Sequence, residues 1–243
     1  MENRSSDAPT APMNPGEKAS VFEDFIDIFH APASVFARRE KSGFGMHLLL
    51  VTVLCALFVF ANRGLMSQIF DAEFQRGAAK AMAANPQLTA DQMISMRGIQ
   101  EKVFGIVQYV TPPLIVFFTA FFVWLAGLVL KTKVTYGQAS LIVTLAFIPR
   151  LLSFLVTTLQ VLLMDTSRIT SPGAISLSPA RFMDPDTSNA KLYAFLGNFD
   201  VFAIWYAVVI GIGIAVIAKV PRSRGYVTSA VVFILLSLPA LMR

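Results

Sequence analysis

Apolar residues come in blocks along this chain, and charged residues separate the blocks. Residues 42–62, 103–130, 201–218 and 225–242 carry no Asp, Glu, Lys or Arg, and residues 134–164 carry only Arg150. A helix rises about 1.5 Å per residue and the hydrocarbon core is roughly 30 Å thick, so about 20 residues cross it, fewer where the flanking residues snorkel. Each of the five blocks meets that length. The pattern predicts an all-α, polytopic transmembrane helical bundle with five spans, occupying residues 42–243. A cytoplasmic arm over residues 20–41 precedes it, and a disordered tail over residues 1–19. That tail holds Pro9, Pro12 and Pro15 among small and polar residues, without an apolar stretch for a signal peptidase, so the first span is expected to be its own insertion signal.

Orientation follows from where the basic residues lie. Arg38, Arg39 and Lys41 precede the first span, Lys131 and Lys133 separate the second and third, and Lys219, Arg222 and Arg224 separate the fourth and fifth. These eight charges share one side, which the positive-inside rule makes cytoplasmic and which leaves the carboxyl terminus outside. The intervening segments, residues 63–102 and 165–200, are near neutral or slightly acidic. Within the first, Thr89 and Gln92 make a capping box ahead of residues 93–102, which predicts a helix-turn-helix excursion. The second is rich in proline and then predicts a short helix over residues 189–196. Neither holds an Asn-X-Ser/Thr sequon, in keeping with a bacterial inner (plasma) membrane.

The arm has its own pattern. Ser20 and Glu23 form a capping box, after which Phe22, Phe25, Ile26 and Phe29 fall on one helical face and Glu23, Asp24 and Asp27 on the other. Pro32 then stops that helix or starts another turn, and Phe36 leads toward the first span. An interfacial anchor is one reading and a docking surface for a cytosolic partner is the other; the acidic face suits anionic lipid poorly. Candidate partner-binding residues are therefore Phe22, Phe25, Asp27, Phe29, Pro32 and Phe36.

Polar groups inside the spans are few. Arg150 is the charged residue furthest from a span end, at a cost of about 2.5–17 kcal/mol depending on the reference, and must face protein or water. Pro149 beside it frees local carbonyls. Asp200, at the entrance to the fourth span, is the expected acidic partner, with Asp165 second. Arg150 and Asp200 together form a candidate intramembrane polar site, against a plainer reading of Arg150 as a packing or snorkelling residue. Ala203, Ala207, Gly211 and Ala215 recur every four residues and lay a small-residue ridge for close helix packing, within the chain or in a homo-oligomer. Pro112 and Pro113 predict a kink in the second span.

Composition sharpens this picture. The chain of 243 residues is 55% hydrophobic and 14% charged, with a mean hydropathy of +0.63, which the bilayer explains. Its net charge of +5 is juxtamembrane, so nucleic acid is not an expected partner. Cys55 is the single cysteine, and His30 and His47 have no second ligand at metal spacing, so neither metal nor cofactor is expected. A Gly-X-Ser-X-Gly elbow, a His-Glu-X-X-His pair and paired intramembrane acids are all absent from the sequence, which argues against an enzyme and against a proton pump.

Three stretches carry a family resemblance: Asp27-Ile-Phe-His-Ala-Pro32 with Phe36 following; Thr135-Tyr-Gly-Gln-Ala-Ser-Leu-Ile-Val-Thr-Leu-Ala-Phe-Ile-Pro-Arg150; and Asp200-Val-Phe-Ala-Ile-Trp205 running into Gly211 and Gly213. In this order and spacing the chain resembles the Yip domain family, named for interaction with Ypt and Rab GTPases, and most of all its bacterial branch. The resemblance implies five spans with a cytoplasmic amino terminus. Eukaryotic members act in vesicle traffic and bind prenylated small GTPases. The arm departs from the eukaryotic pattern Asp-Leu-Tyr-Gly-Pro, having Phe29 for Tyr, His30 for Gly and one extra residue before Pro32, so GTPase binding is expected only of a eukaryotic-like member. The leading functional expectation is a non-catalytic scaffold or adaptor that sits among membrane lipids and binds membrane or cytosolic proteins. The alternative is a small transporter, channel or lipid-handling protein built around Arg150.

Overall fold

Helix starts in this chain are set by side chains that satisfy the free amides of the first turn. Reciprocal capping boxes open helices at Ser20 with Glu23, Thr89 with Gln92 and Thr135 with Gln138, and Asn189 and Asp200 cap two more. In the computed structural model, residues 20–165, 168, 169 and 171–242 are described; the expected tail 1–19 lies outside them. The described residues form α1 (Val21–Asp27), α2 (Pro32–Arg39), α3 (Gly45–Ala61), α4 (Arg63–Ala84), α5 (Ala90–Val129), α6 (Tyr136–Leu163), α7 (Ala190–Gly197), α8 (Val201–Ile217) and α9 (Arg222–Ser237), joined by turns and short 3-10 segments. No strand occurs among them.

Three helical segments are long and apolar enough to cross a membrane, Asp91–Val129, Tyr136–Leu163 and Arg222–Met242. A fourth candidate is the pair α7 and α8, bent by 53° at the break between them. The apolar helix α3 has 17 residues, about 25 Å at 1.5 Å per residue.

The segment between α3 and the second apolar run is a helical hairpin. Sequence alone predicts a separate helix over 93–102, whereas α5 is one helix of 40 residues, about 60 Å long. Pro112 and Pro113, where the sequence predicts a kink, lie inside this continuous helix. Arg97 reaches back to Asp71 at 2.7 Å to tie α5 to α4.

The bundle is built around α8, which packs on α9, α6 and α2. Its ridge of small residues lies against α9. A Cβ on Gly225 would stand 2.3 Å from the Gly211 carbonyl oxygen and 3.0 Å from the Ala215 Cβ, so the two backbones approach as only glycine permits. The Ser229 hydroxyl donates to the Ala207 carbonyl across the same seam. Beside α8, α6 contributes an almost unbroken buried stretch, residues 139–149.

Three lysines hold the turns at the arm end. Lys131, Lys133 and Lys219 adopt φ near 55°, with values of 56°, 53° and 54°, a region that disfavours a Cβ. Lys131 and Lys219 follow helix ends, where Thr132 N donates to Gly127 O at 2.9 Å and Val220 N to Ala215 O at 3.1 Å. These bonds satisfy the last carbonyls of α5 and α8.

Candidate functional site

Two regions gather the residues singled out by sequence: the arm, and the neighbourhood of Arg150.

The arm is a helical hairpin folded into the bundle. Phe29 meets Trp205 edge-on with ring centroids 5.6 Å apart, a Cβ on Gly213 would stand 2.9 Å from Phe36 Cζ, and Glu40 pairs with Lys219 at 3.0 Å. Those three contacts advance together along both segments, so α2 runs parallel to α8. Trp205 lies twelve residues before the end of α8 at Ile217, so the hairpin tip reaches about 18 Å along the bundle. Ile28, Val35 and Phe36 are fully buried there. Phe36, expected on a partner surface, is therefore a core residue with its ring against Gly213.

The helix α1 is rotated about its axis relative to the pattern that sequence predicts. Asp24, placed on the solvent side by periodicity, is fully buried, while Phe22 and Ile26 are 70% and 67% exposed. Phe25 and Phe29 are half-buried against the core, and Pro32 opens α2. The cause is electrostatic. Asp24 accepts from Arg38 Nε at 2.7 Å, from Arg39 Nε at 2.6 Å and from His47 Nε2 at 2.8 Å, and Arg38 Nη1 also donates to Asp27 at 2.6 Å. Burial works to raise the Asp24 carboxyl pKa, but the hydrogen bonds from His47, Arg38 and Arg39 outweigh it and hold the group below its ordinary value of 3.8. Burial of Arg38 is likewise outweighed by Asp27 and Asp24, which keep its guanidinium more firmly protonated. The network joins α1, α2 and the first turn of α3. Arg38, Arg39 and His47 are functional-looking residues that sequence reasoning missed, since partners 14, 15 and 23 positions away leave no periodic trace.

Arg150 sits midway along α6, about 21 Å from its start. Its guanidinium carbon lies 5.5 Å from the Tyr206 ring and 6.0 Å from the Phe147 ring, within cation–π range. Sequence pairs it with Asp200, but no ion pair to Arg150 forms among the described residues. Asp200 is engaged as a cap instead, accepting from Phe202 N at 2.9 Å and Leu177 N at 2.7 Å. Both residues nevertheless line the same two clefts, of about 340 and 290 Å³, which meet at Ala203. Of the expected packing residues, Ala203, Gly211 and Ala215 are buried and Ala207 is half-buried.

No group of three or more His, Cys, Asp or Glu side chains suited to a metal occurs among the described residues. Compared with known protein families, the chain matches the Yip1 domain over residues 26–242. Neither a curated protein nor a solved structure matches it.

Proposed function

Because the chain belongs to the Yip1 domain family, we propose that it is a five-span membrane protein acting non-catalytically, as a scaffold or adaptor for other membrane or cytosolic proteins. The spans are α3, α5, α6, the bent pair α7 and α8, and α9. The amino terminus and arm face the cytoplasm and the carboxyl terminus faces outward, most simply in a bacterial inner membrane. The loop-side basic residues support this orientation, since all eight stand at the arm end.

The observation that carries the adaptor reading is the outward pair Phe22 and Ile26. They are neighbours at i and i+4 on a helix whose other side is pinned by Asp24. A partner helix meeting this pair meets an ordered surface, so less freedom is lost on binding. Of the partner set expected from sequence, Phe22 stays outward with Phe25 and Phe29 behind it, and Ile26 is added to it. A prenylated small GTPase is the occupant if the chain works as eukaryotic members do.

A photo-reactive residue at position 22 or 26, activated in the native membrane, should give a discrete protein adduct that Phe22→Ser with Ile26→Ser abolishes without loss of membrane insertion. Adducts to lipid alone would mean that the pair is an interfacial anchor and would sink the adaptor assignment.

A further inference from the structure

Arg150 and Asp200 pose a question of charge that the adaptor reading leaves untouched. A lone guanidinium this deep in a bundle is costly unless something compensates it, and no described carboxylate pairs with it. Asp200 stands beyond ion-pair reach of Arg150 while lining the same two clefts. Tyr206 adds a third polar group: it is 5% exposed, and its hydroxyl lies beside Thr119 on the wall of one cleft, where a hydroxyl can donate to a guest.

A simple anion entering the clefts would meet Arg150 but be opposed by Asp200, and a simple cation the reverse. A molecule carrying both charges is favoured by both walls. The remaining lining is mixed: Phe154 and Phe202 stand beside Ser153 and Thr157 in one cleft, and Phe118 and Leu236 beside Thr119 and Asn198 in the other. Phe118 is also largely exposed on the bundle's outer face, so that cleft borders the surface that faces acyl chains. The depth agrees: Arg150 lies about 21 Å and Asp200 about 25 Å from the arm end, and the hydrocarbon core is roughly 30 Å thick. On that scale Asp200 stands near the far headgroup boundary and Arg150 somewhat further inside, within reach of a headgroup drawn into the clefts.

We propose that the paired clefts at Arg150 and Asp200 bind one zwitterionic phospholipid of the leaflet opposite the arm. Arg150 and the Tyr206 hydroxyl take the phosphate, Asp200 takes the ammonium, and the acyl chains run along Phe118 and Leu236. Clefts of about 340 and 290 Å³ together are of ligand-site size, and a guanidinium matches phosphate oxygens in pairs. The proposal rests on the membrane placement of the bundle but not on the adaptor role.

The test is lipid retention by the full chain, purified and presented with phosphatidylethanolamine or phosphatidylglycerol and read by native mass spectrometry. The wild type should retain one phosphatidylethanolamine at least about tenfold more strongly than phosphatidylglycerol, the scale of one charge-assisted contact. Asp200→Asn keeps the α8 cap but removes the charge, and should move the preference toward phosphatidylglycerol. Tyr206→Phe and Arg150→Gln should each weaken retention of both lipids, since both lipids present the phosphate that these groups hold. Equal retention of the two lipids by the wild type, or an unchanged preference in Asp200→Asn, would overturn the assignment. So would displacement by millimolar soluble phosphoethanolamine, which would make the guest a free solute.

Discussion

Replacing Asp24 by alanine removes the acceptor on which three helices converge. The carboxylate takes hydrogen bonds from Arg38, Arg39 and His47, and each bond involving a charged group contributes about 1.5–3 kcal/mol net. Their sum overstates the loss. The Arg38 and Arg39 side chains are 25% and 17% exposed and regain some water, and Arg38 keeps Asp27. Removing one member of a buried ion pair typically costs about 3–5 kcal/mol, and the lower half of that range fits a site with a wet rim. The expected effect is local, because Phe36, Val35 and Ile28 still bury the hairpin. At roughly 1.4 kcal/mol per tenfold, 3 kcal/mol raises opening of the arm by about 150-fold. Hydrogen exchange of amides over residues 26–39 in lipid nanodiscs reads this directly. Asp24→Asn, retaining one acceptor, should fall between the parent and Asp24→Ala, and Asp27→Asn should cost less than about 1 kcal/mol because that carboxylate is partly solvated. An Asp24→Ala arm exchanging less than about fivefold faster would refute the claim that this network holds it down.

Acid should act on the same group. The folded Asp24 carboxyl lies below its ordinary 3.8, so its contribution is complete above pH 3.8 and fades as pH falls through the lower folded value; arm exchange measured from pH 6 downward should accelerate only in that acid window, and Asp24→Asn should flatten the dependence. Gly225→Ala drives a methyl onto the Gly211 carbonyl and should destabilise the α8–α9 seam by about 1–3 kcal/mol or more in thermal melts, whereas Gly105→Ala, with open space around its Cα, should not. Lys131→Gly relieves a left-handed φ of 56° and should stabilise by up to about 1 kcal/mol in the same melts. Single-cysteine labelling in a Cys55→Ser background should mark positions 131 and 222 from the cytoplasm and position 79 from outside; the reverse pattern would remove the proposed orientation.

Helix positions were legible where a local rule governs them. The boxes at Ser20 and Thr89 stand as their spacing predicts, and the short helix expected over 189–196 forms as α7, Ala190–Gly197. Each depends on residues within one turn. The runs of apolar residues likewise reported the membrane character of the chain, since hydropathy averages over a span. The length of α5 was less visible: a change from polar to apolar composition near Val103 reads as a boundary, but a helix leaving the bilayer has no reason to stop there.

The arm failed for a different reason, which bears on how such segments are read. Amphipathic periodicity identifies the buried face of a helix only if burial is apolar. On α1 the inward face centres on Asp24 and Ile28, and charge complementarity with residues of α2 and α3 outweighs the transfer preference of Phe22 and Ile26. Three donors on one carboxylate are enough to turn the helix, since each charged hydrogen bond rivals the roughly 1.5–3 kcal/mol of burying one large apolar side chain. Near Arg150 the charge pattern suggests a pair that does not form: Asp200 is already bound to Phe202 N and Leu177 N. A carboxylate fixed as a helix cap cannot swing toward a distant guanidinium without exposing two amides, so the opposite charges stay apart. The cap that makes α8 begin where it does thereby keeps the two charges separate across the clefts.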